Sequence, residues 1–279
     1  MSKNFLIFLF SAAINNTVFA EESSIAIDQF QRLIRYPGKT EVSCPKQDKD
    51  TAVLLAIGQS NAANHAEKMF VTKYPTQVFN YFNGKCYIAS SPLLGATAPL
   101  GELITPLADK LIDNGDYKTV VILPSAIGGS AIERWQQGGD LNSMMQAVIG
   151  HSPYRITEVI WHQGESDFVL KTKAEDYKKR FNSLVNSLRK TKEFSPPIYY
   201  AIATKCGDNP EWQRANPIAM AQKSLANPTQ NIFLAVDTDT LLSDSDRAPD
   251  HCHFGETGQV KTANAFAAAI HSQKTRILK

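Results

Sequence analysis

Short apolar runs alternate with helical patterns along the chain, and this alternation is its strongest constraint on the fold. The runs that predict buried strands lie at about residues 52–57, 118–123, 156–161, 198–203 and 232–236. The patterns that predict helices lie at about residues 102–114, 141–149, 173–191, 215–226 and 256–272. Strands that alternate with helices form a parallel sheet with helices on both faces, so an α/β protein is predicted.

A predicted β-hairpin interrupts this alternation between the first strand and the first helix. Asn83 and Gly84 separate the strand-like runs 78–82 and 86–88, and Asn-Gly is a strong signal for a two-residue turn. The sequence contains no repeats, low-complexity tract or obvious linker. We therefore expect residues 21–279 to form a single domain with a short N-terminal extension.

A serine follows directly on the first predicted strand. Gly58 permits a sharp turn after the run 51–57, and Ser60 lies on the loop just beyond. Loops at the carboxyl edge of an open α/β sheet are where such proteins bind ligands. Ser60 is therefore a candidate nucleophile, although Ser60 and Asn61 are also good caps for the start of a helix.

An acid and a histidine lie three residues apart before the last predicted helix. Asp250 and His253 are on the loop that enters this helix. An aspartate can hold an imidazole in the tautomer that accepts a serine proton, as in a catalytic triad. The alternative is a pair that only ties the loop together.

Two further segments after predicted strands carry candidate groups for stabilising an oxyanion. Gln163 follows the strand at 156–161, and a glutamine amide can donate to a developing negative charge. Gly128 and Gly129 follow the strand at 118–123, and glycines let a backbone N–H approach a substrate closely. A plain strand-to-helix turn is the alternative for the two glycines.

Four segments in order resemble the SGNH-hydrolase superfamily. They are Gly58–Asn61, Ile127–Trp135, Trp161–Asp167 and Asp250–His253, within about residues 50–272. The similarity is to the carbohydrate O-acetylesterase branch, which includes acetylxylan esterases and sialate O-acetylesterase domains. It implies a flavodoxin-like three-layer αβα sandwich with a central parallel sheet of about five strands.

The resemblance also assigns catalytic roles. It implies that Ser60 is the nucleophile, His253 the general base and Asp250 the usual acid of the triad. Glu165 competes with Asp250 for that place or supports the same histidine, because some members of this branch use the glutamate of the Gln-Gly-Glu segment.

The remaining site residues follow from the same resemblance. The oxyanion hole would consist of the Ser60 N–H, the N–H of Gly128 or Gly129, and the Gln163 side chain. The side chains expected to contact the substrate are Gln59, Asn61, Arg134 and Trp135. Trp135 has a core position as its alternative. Neither a metal nor an organic cofactor is implied.

The first twenty residues have the pattern of a secretory signal peptide. Lys3 precedes the apolar run 5–13, and the small residue Ala20 precedes a predicted cleavage before Glu21. The run is too short to span a bilayer, and an uncleaved anchor is the alternative. A periplasmic or secreted protein is therefore expected, with no membrane association after cleavage.

Export would allow the four cysteines to form disulfides. Cys44, Cys86, Cys206 and Cys252 permit three pairings. We favour Cys44–Cys86 and Cys206–Cys252. Cys206 follows the strand at 198–203, Cys252 lies between Asp250 and His253, and the loops of these two cysteines should both lie at the carboxyl edge of the sheet. The second bond would then fix the loop that carries Asp250 and His253.

These features together predict a serine esterase that removes O-acetyl groups from carbohydrates. The formal net charge of +2 gives no indication of a nucleic-acid partner or an anionic membrane surface. An O-acetylated sialic acid, xylan fragment or cell-envelope glycan is the expected substrate. A lipid or thioester acyl hydrolase and a catalytically silent carbohydrate-binding protein are the alternatives. The oligomeric state is left open.

Overall fold

The computed structural model describes residues 24–190, 195–208 and 216–277, so the predicted signal peptide at residues 1–20 lies outside it. The strands are β1 (Ala26–Ile27), β2 (Leu33–Arg35), β3 (Glu41–Val42), β4 (Thr51–Gly58), β5 (Val78–Phe82), β6 (Lys85–Ile88), β7 (Thr119–Pro124), β8 (Glu158–His162), β9 (Ile198–Ile202) and β10 (Ile232–Asp237). The helices are α1 (Ile104–Asp113), α2 (Asp140–His151), α3 (Glu165–Val169), α4 (Ala174–Lys190), α5 (Pro217–Lys223), α6 (Thr238–Leu241) and α7 (Glu256–Ile277).

One central sheet of eight strands has the order β10-β9-β8-β4-β7-β5-β6-β3. Neighbours are parallel from β10 to β5, and the last two pairings are antiparallel. The predicted α/β fold with a parallel sheet is confirmed. The sheet is wider than predicted, because the hairpin β5–β6 joins it: Val78 of β5 pairs with Val120 of β7.

The turn of this hairpin is the predicted Asn83-Gly84 pair. Phe82 pairs with Lys85 across it, and both turn residues have positive φ, 47° for Asn83 and 81° for Gly84. Positive φ at both central positions is the signature of the turn type that matches the twist of a β-hairpin.

The central strand β4 is buried on both faces, which explains its continuous apolar sequence. Alternate side chains enter the two main hydrophobic clusters, with Leu55 in one and Leu54 in the other. Helices α2, α4 and α5 cover the first face, and α1 and α7 cover the second. The structure is thus the three-layer αβα sandwich that was predicted. Among the described residues, no helix is long and apolar enough to cross a membrane.

A short antiparallel pair, β1 and β2, stands apart from the central sheet. Ala26 pairs with Arg35 across it, and we call residues 24–35 the N-terminal hairpin. The hairpin is attached to the rest of the chain by backbone bonds from Leu33 to the segment at 95–96.

Two disulfides join the cysteines in the pairing favoured from the sequence. Cys44 bonds Cys86, and Cys206 bonds Cys252. The first connects the segment after β3 to β6, next to the antiparallel pairing of Val42 with Cys86. The second connects the loop after β9 to the loop that carries Asp250 and His253.

Removing the first disulfide tests its contribution to stability. We expect the double variant Cys44→Ala/Cys86→Ala to lose about 2–5 kcal/mol in its free energy of unfolding, because the bond restricts the unfolded chain. Urea denaturation measures the loss. The control repeats the measurement in a background that lacks the Cys206–Cys252 bond. There, the parent protein under reducing conditions should be as stable as the protein that also carries Cys44→Ala/Cys86→Ala. A variant as stable as oxidised wild type would contradict the pairing.

Candidate active site

The candidate nucleophile lies where β4 ends. Gly58 has a φ of 127°, and a Cβ at this position would lie 2.1 Å from the backbone oxygen of His162 in the neighbouring strand β8. Only glycine fits this close approach, and it allows the chain to turn sharply. Ser60 then opens a single 3₁₀ turn, Ser60–Ala62, at the carboxyl edge of the sheet.

Gln59 fixes this turn to the next segment rather than facing a ligand. Its side chain is buried, and Oε1 accepts hydrogen bonds from the N–H groups of Gly164 (3.3 Å) and Ser166 (3.0 Å). The expected substrate contact of Gln59 is therefore wrong, because its acceptor is used by the backbone that begins α3.

Asp250 and His253 form the predicted acid–base pair. Asp250 Oδ2 lies 2.6 Å from His253 Nδ1, and Oδ1 accepts the backbone N–H groups of Cys252 and His253, each at 2.9 Å. Burial raises the pKa of Asp250, but these hydrogen bonds outweigh it and hold the pKa below its usual value. The carboxylate can therefore keep a proton on Nδ1 and leave Nε2 to accept one.

Asn61 brings this pair to the Ser60 turn. Its side chain is fully buried, with Nδ2 donating to the Cys252 carbonyl oxygen (3.2 Å) and to Glu165 Oε1 (3.0 Å). Oδ1 accepts the N–H of Phe254 at 3.1 Å. One amide thus joins three of the four sequence segments. The expected substrate contact of Asn61 is wrong, since every bond it makes is internal.

The Ser60 hydroxyl and the His253 ring are brought to the same edge without being bonded. Ser60 is 5% exposed, whereas the His253 side chain is 25% exposed. Among the described residues, no hydrogen bond joins them. Catalytic hydrogen bonds are often long in the absence of substrate and tighten when it binds.

Glu165 is buried beneath the pair and is not the acid that contacts His253. It bonds Asn61, and Oε1 lies 3.7 Å from His162 Nδ1. Burial raises the pKa of Glu165 to about 7 and lowers the pKa of His162 to about 3. The competing assignment of Glu165 as the triad acid is therefore wrong in this structure, because Asp250 occupies that place.

The polar atoms of the Gln163 side chain are bonded to other groups of the protein. Nε2 donates to Asp167 Oδ2 (2.6 Å) and to the Ser130 carbonyl oxygen (3.1 Å), which uses both of its hydrogens. Oε1 accepts the Tyr177 hydroxyl at 3.0 Å, and the residue has no exposed surface. The predicted oxyanion role of Gln163 is wrong for this arrangement. Its amide instead ties α3 and α4 to the loop at 130.

Of the two candidate glycines, Gly129 has the more accessible backbone. The N–H of Gly128 donates to Thr97 Oγ1 at 2.8 Å, so it is already used. Gly129 is exposed and has a φ of 63°. Gly129 is therefore the better candidate for an oxyanion donor.

His65 lies beside the candidate base, although no motif in the sequence pointed to it. Its ring stacks on His253, with centroids 5.4 Å apart and an interplanar angle of 18°, and Nε2 lies 3.1 Å from Thr97 Oγ1. Burial, and secondarily the nearby His253, lower the pKa of His65 to about 4. The His65 ring is therefore uncharged at neutral pH. A charged ring at this position would oppose the protonation of His253.

Arg134 and Trp135 have different surroundings. Arg134 is partly exposed, forms a two-bond pair with Asp140 (3.1 and 2.6 Å), and lines a groove together with His65. Trp135 is fully buried, packs edge-on against Trp161 and donates to Ser130 Oγ at 2.9 Å. Trp135 is thus a core residue, and its expected substrate contact is wrong.

Comparison with known proteins identifies the family of this chain. A family model described as carbohydrate esterase, sialic acid-specific acetylesterase, matches residues 50–272. The chain belongs to this family. The match spans all four sequence segments and confirms the resemblance inferred from them. It begins after the N-terminal hairpin.

A relative and several solved structures are similar to this member of the family. A probable carbohydrate esterase of Arabidopsis thaliana is 28% identical over 139 residues, which are 46% of this chain and 54% of the relative. The match thus spans about half the length of that relative. A crystal structure of the same plant protein has a TM-score of 0.63 and 21% identity, covering 80% of this chain and 98% of that one.

Two further structures share the fold. NanS has a TM-score of 0.57 and 16% identity, over 81% of this chain and 98% of its own. Axe2, an acetylxylan esterase from Geobacillus stearothermophilus, has a TM-score of 0.52 and 16% identity, over 80% and 96%. Within the described ranges of the present chain, no three His, Cys, Asp or Glu side chains are grouped as a metal site.

The role of Asn61 can be tested with an isosteric change. We expect Asn61→Asp to lower kcat/KM at least about 100-fold and to destabilise the fold by about 3 kcal/mol, because it places a second carboxylate against Glu165 and removes the donor to Cys252. Acetate release and urea denaturation measure the two effects.

Asn80→Asp is the matched control for this change. Asn80 is equally buried and bonds both backbone groups of Leu94, away from the acid–base pair. The Asn80→Asp variant should be less stable than wild type but should keep the wild-type kcat/KM per folded molecule. Equal losses of kcat/KM in the two variants would contradict a specific role for Asn61.

The buried carboxyl of Glu165 should make stability depend on pH. Its pKa of about 7 lies above its ordinary value of 4.5. The stabilisation is therefore complete below pH 4.5 and is lost as pH rises through about 7. Relative to Glu165→Gln, wild type should lose up to about 3 kcal/mol between pH 4 and 8.

Urea denaturation of wild type and Glu165→Gln across this range measures the difference between their free energies of unfolding. The titration of the other groups cancels in this difference. Glu175→Gln on the exposed face of α4 is the control and should differ from wild type by a constant amount. A constant difference for Glu165→Gln as well would show that its pKa is not raised.

Proposed function

We propose that this chain is a serine esterase that removes O-acetyl groups from carbohydrates through an acetyl-serine intermediate. The observation that carries the proposal is the Asp250–His253 pair on a loop that Asn61 bonds to the Ser60 turn. A nucleophile, a base and an acid that orients the base are the parts needed for acyl transfer.

The first half of the proposed reaction forms the covalent intermediate. His253 Nε2 takes the hydroxyl proton of Ser60, and Oγ attacks the carbonyl carbon of the acetyl ester. The tetrahedral intermediate collapses when the bond from this carbon to the sugar oxygen breaks. His253 gives its proton to that oxygen, and the free sugar hydroxyl leaves acetyl-Ser60.

The second half releases acetate. A water molecule gives a proton to His253 as it attacks the acetyl carbonyl carbon, and the bond to Ser60 Oγ then breaks. The proton returns to Oγ. Asp250 stays ionised throughout and stabilises the imidazolium that forms in each half.

The oxyanion is assigned to backbone donors. We propose the N–H groups of Ser60 and Gly129, because the bonds of Gln163 and of the Gly128 N–H are used internally. Donors held rigidly at the position of developing charge supply a large share of acyl-transfer catalysis.

The proposed substrate is an O-acetylated sialic acid, xylan fragment or cell-envelope glycan, with sialate favoured by the description of the family. A lipid or thioester acyl hydrolase and a silent glycan-binding protein are the alternatives to exclude.

We also propose that residues 1–20 are removed as a signal peptide and that residues 21–279 act as a single domain in the periplasm or outside the cell. The two disulfides support this location, because such bonds persist in oxidising compartments.

Acetate release from a panel of O-acetylated sugars tests the function. Wild type should release acetate, and Ser60→Ala should lower the rate at least about 1,000-fold because it removes the nucleophile. Ser143→Ala, at an exposed serine of α2, is the control and should match wild type. Hydrolysis of long-chain esters alone would favour the lipid alternative, and glycan binding without acetate release would favour the silent one.

A further inference from the structure

The N-terminal hairpin forms one wall of a groove beside the candidate catalytic residues. Ile25, Ile27 and Phe30 line the groove from the hairpin, and His65 and Gly128 line it from the other side. Since the His65 ring stacks on that of His253, the groove begins next to the candidate base. It thus continues the site toward the N-terminal part of the chain.

This wall is held in a fixed register. Leu33 N donates to the Ala96 carbonyl oxygen at 2.9 Å, and Gly95 N donates to the Leu33 carbonyl oxygen at 2.8 Å. Arg32 pairs with Thr97 in an antiparallel bridge. Thr97 is the residue whose hydroxyl contacts both His65 and the oxyanion loop. The hairpin, His65 and the loop at Gly128 are therefore all bonded to the same short segment.

The size of the groove fits the alcohol portion of an ester rather than its acetyl group. Its volume is about 560 Å³, within the range of roughly 300–1,000 Å³ for small-molecule sites. An acetyl group has only two carbons and needs far less space. The alcohol portion of the ester, which is the larger group, is therefore the part of the substrate that fits this groove.

The chemistry of the lining fits a sugar. Ile25 and Ile27 are 53% and 49% exposed, so both present apolar surface to the groove. Gln29, Gln31 and Arg134 add hydrogen-bonding groups, and no carboxylate is among the described residues that line the groove. Apolar side chains can pack against the C–H face of a sugar ring while amides bond its hydroxyls.

We infer that the N-terminal hairpin is a saccharide subsite that binds the sugar portion of the O-acetylated substrate and selects among glycans. The inference deepens the proposed function and rests on it. The hairpin lies outside residues 50–272, which the family model matches, so the match does not assign it a role.

The two sides of the hairpin provide a matched pair of variants. Ile27 faces the groove, whereas Ile34, 39% exposed on β2, lines a different cavity on the opposite side. Ile27→Ser and Ile34→Ser therefore make the same chemical change on one element. Ile25→Ser is a second groove variant, and thermal unfolding checks that all three are folded.

The test compares a large substrate with a small one. kcat/KM is measured for acetylated xylo-oligosaccharides and O-acetylated sialyllactose, and for p-nitrophenyl acetate as the compact ester. We expect Ile27→Ser and Ile25→Ser to lower the ratio of kcat/KM for the saccharides to kcat/KM for p-nitrophenyl acetate about tenfold. The loss of one apolar contact changes discrimination between substrates by roughly 10–200-fold. Ile34→Ser should keep the wild-type ratio.

The outcomes separate the subsite from the function. Unchanged ratios in the two groove variants, or equal losses in Ile34→Ser, would overturn the subsite while leaving the esterase intact. A folded wild type that releases no acetate would instead contradict the proposed function. In that case, calorimetric binding of the same saccharides tests the subsite. We expect weaker binding to Ile27→Ser than to Ile34→Ser, and equal binding to the two variants would overturn the subsite.

Discussion

The buried amide of Asn61 is the interaction on which the arrangement of the site depends. Its oxygen and nitrogen bond the backbone on both sides of His253, and the nitrogen also bonds Glu165. Asn61 therefore connects the acid–base loop directly to the residue next to the nucleophile. Unpaired polar groups at this depth would be costly, which makes the bonded arrangement the favoured one.

Arg247 supports the same loop from below. It is almost fully buried, and it donates to the Cys252 carbonyl oxygen at 3.0 Å and to the Thr238 carbonyl oxygen at 3.2 Å. Burial lowers the pKa of its guanidinium, while the nearby Glu165 opposes this shift. The loop is therefore bonded to buried groups on two sides, Asn61 and Arg247.

Local patterns in the sequence were enough to predict the strands β4 and β7–β10, the hairpin β5–β6, five of the helices and the Asp250–His253 pair, but not the short helices α3 and α6. These features depend on periodicity, on strand ends and on two residues three positions apart, all of which are visible without the fold. The directions of Gln163 and Asn61 were not predictable in this way. Whether such an amide faces a ligand depends on competing partners such as Tyr177, which lies on a separate helix. The stacking of His65 on His253 likewise joins distant parts of the chain.

The Cys206–Cys252 bond has a consequence for when the site becomes complete. Cys252 lies next to His253, so a chain whose thiols are still reduced lacks the covalent link between the loop of the base and the loop after β9. Under the proposed export, the newly made protein would cross the reducing cytoplasm with this link unformed. Oxidation after translocation would then be the step that completes the bonding of this loop.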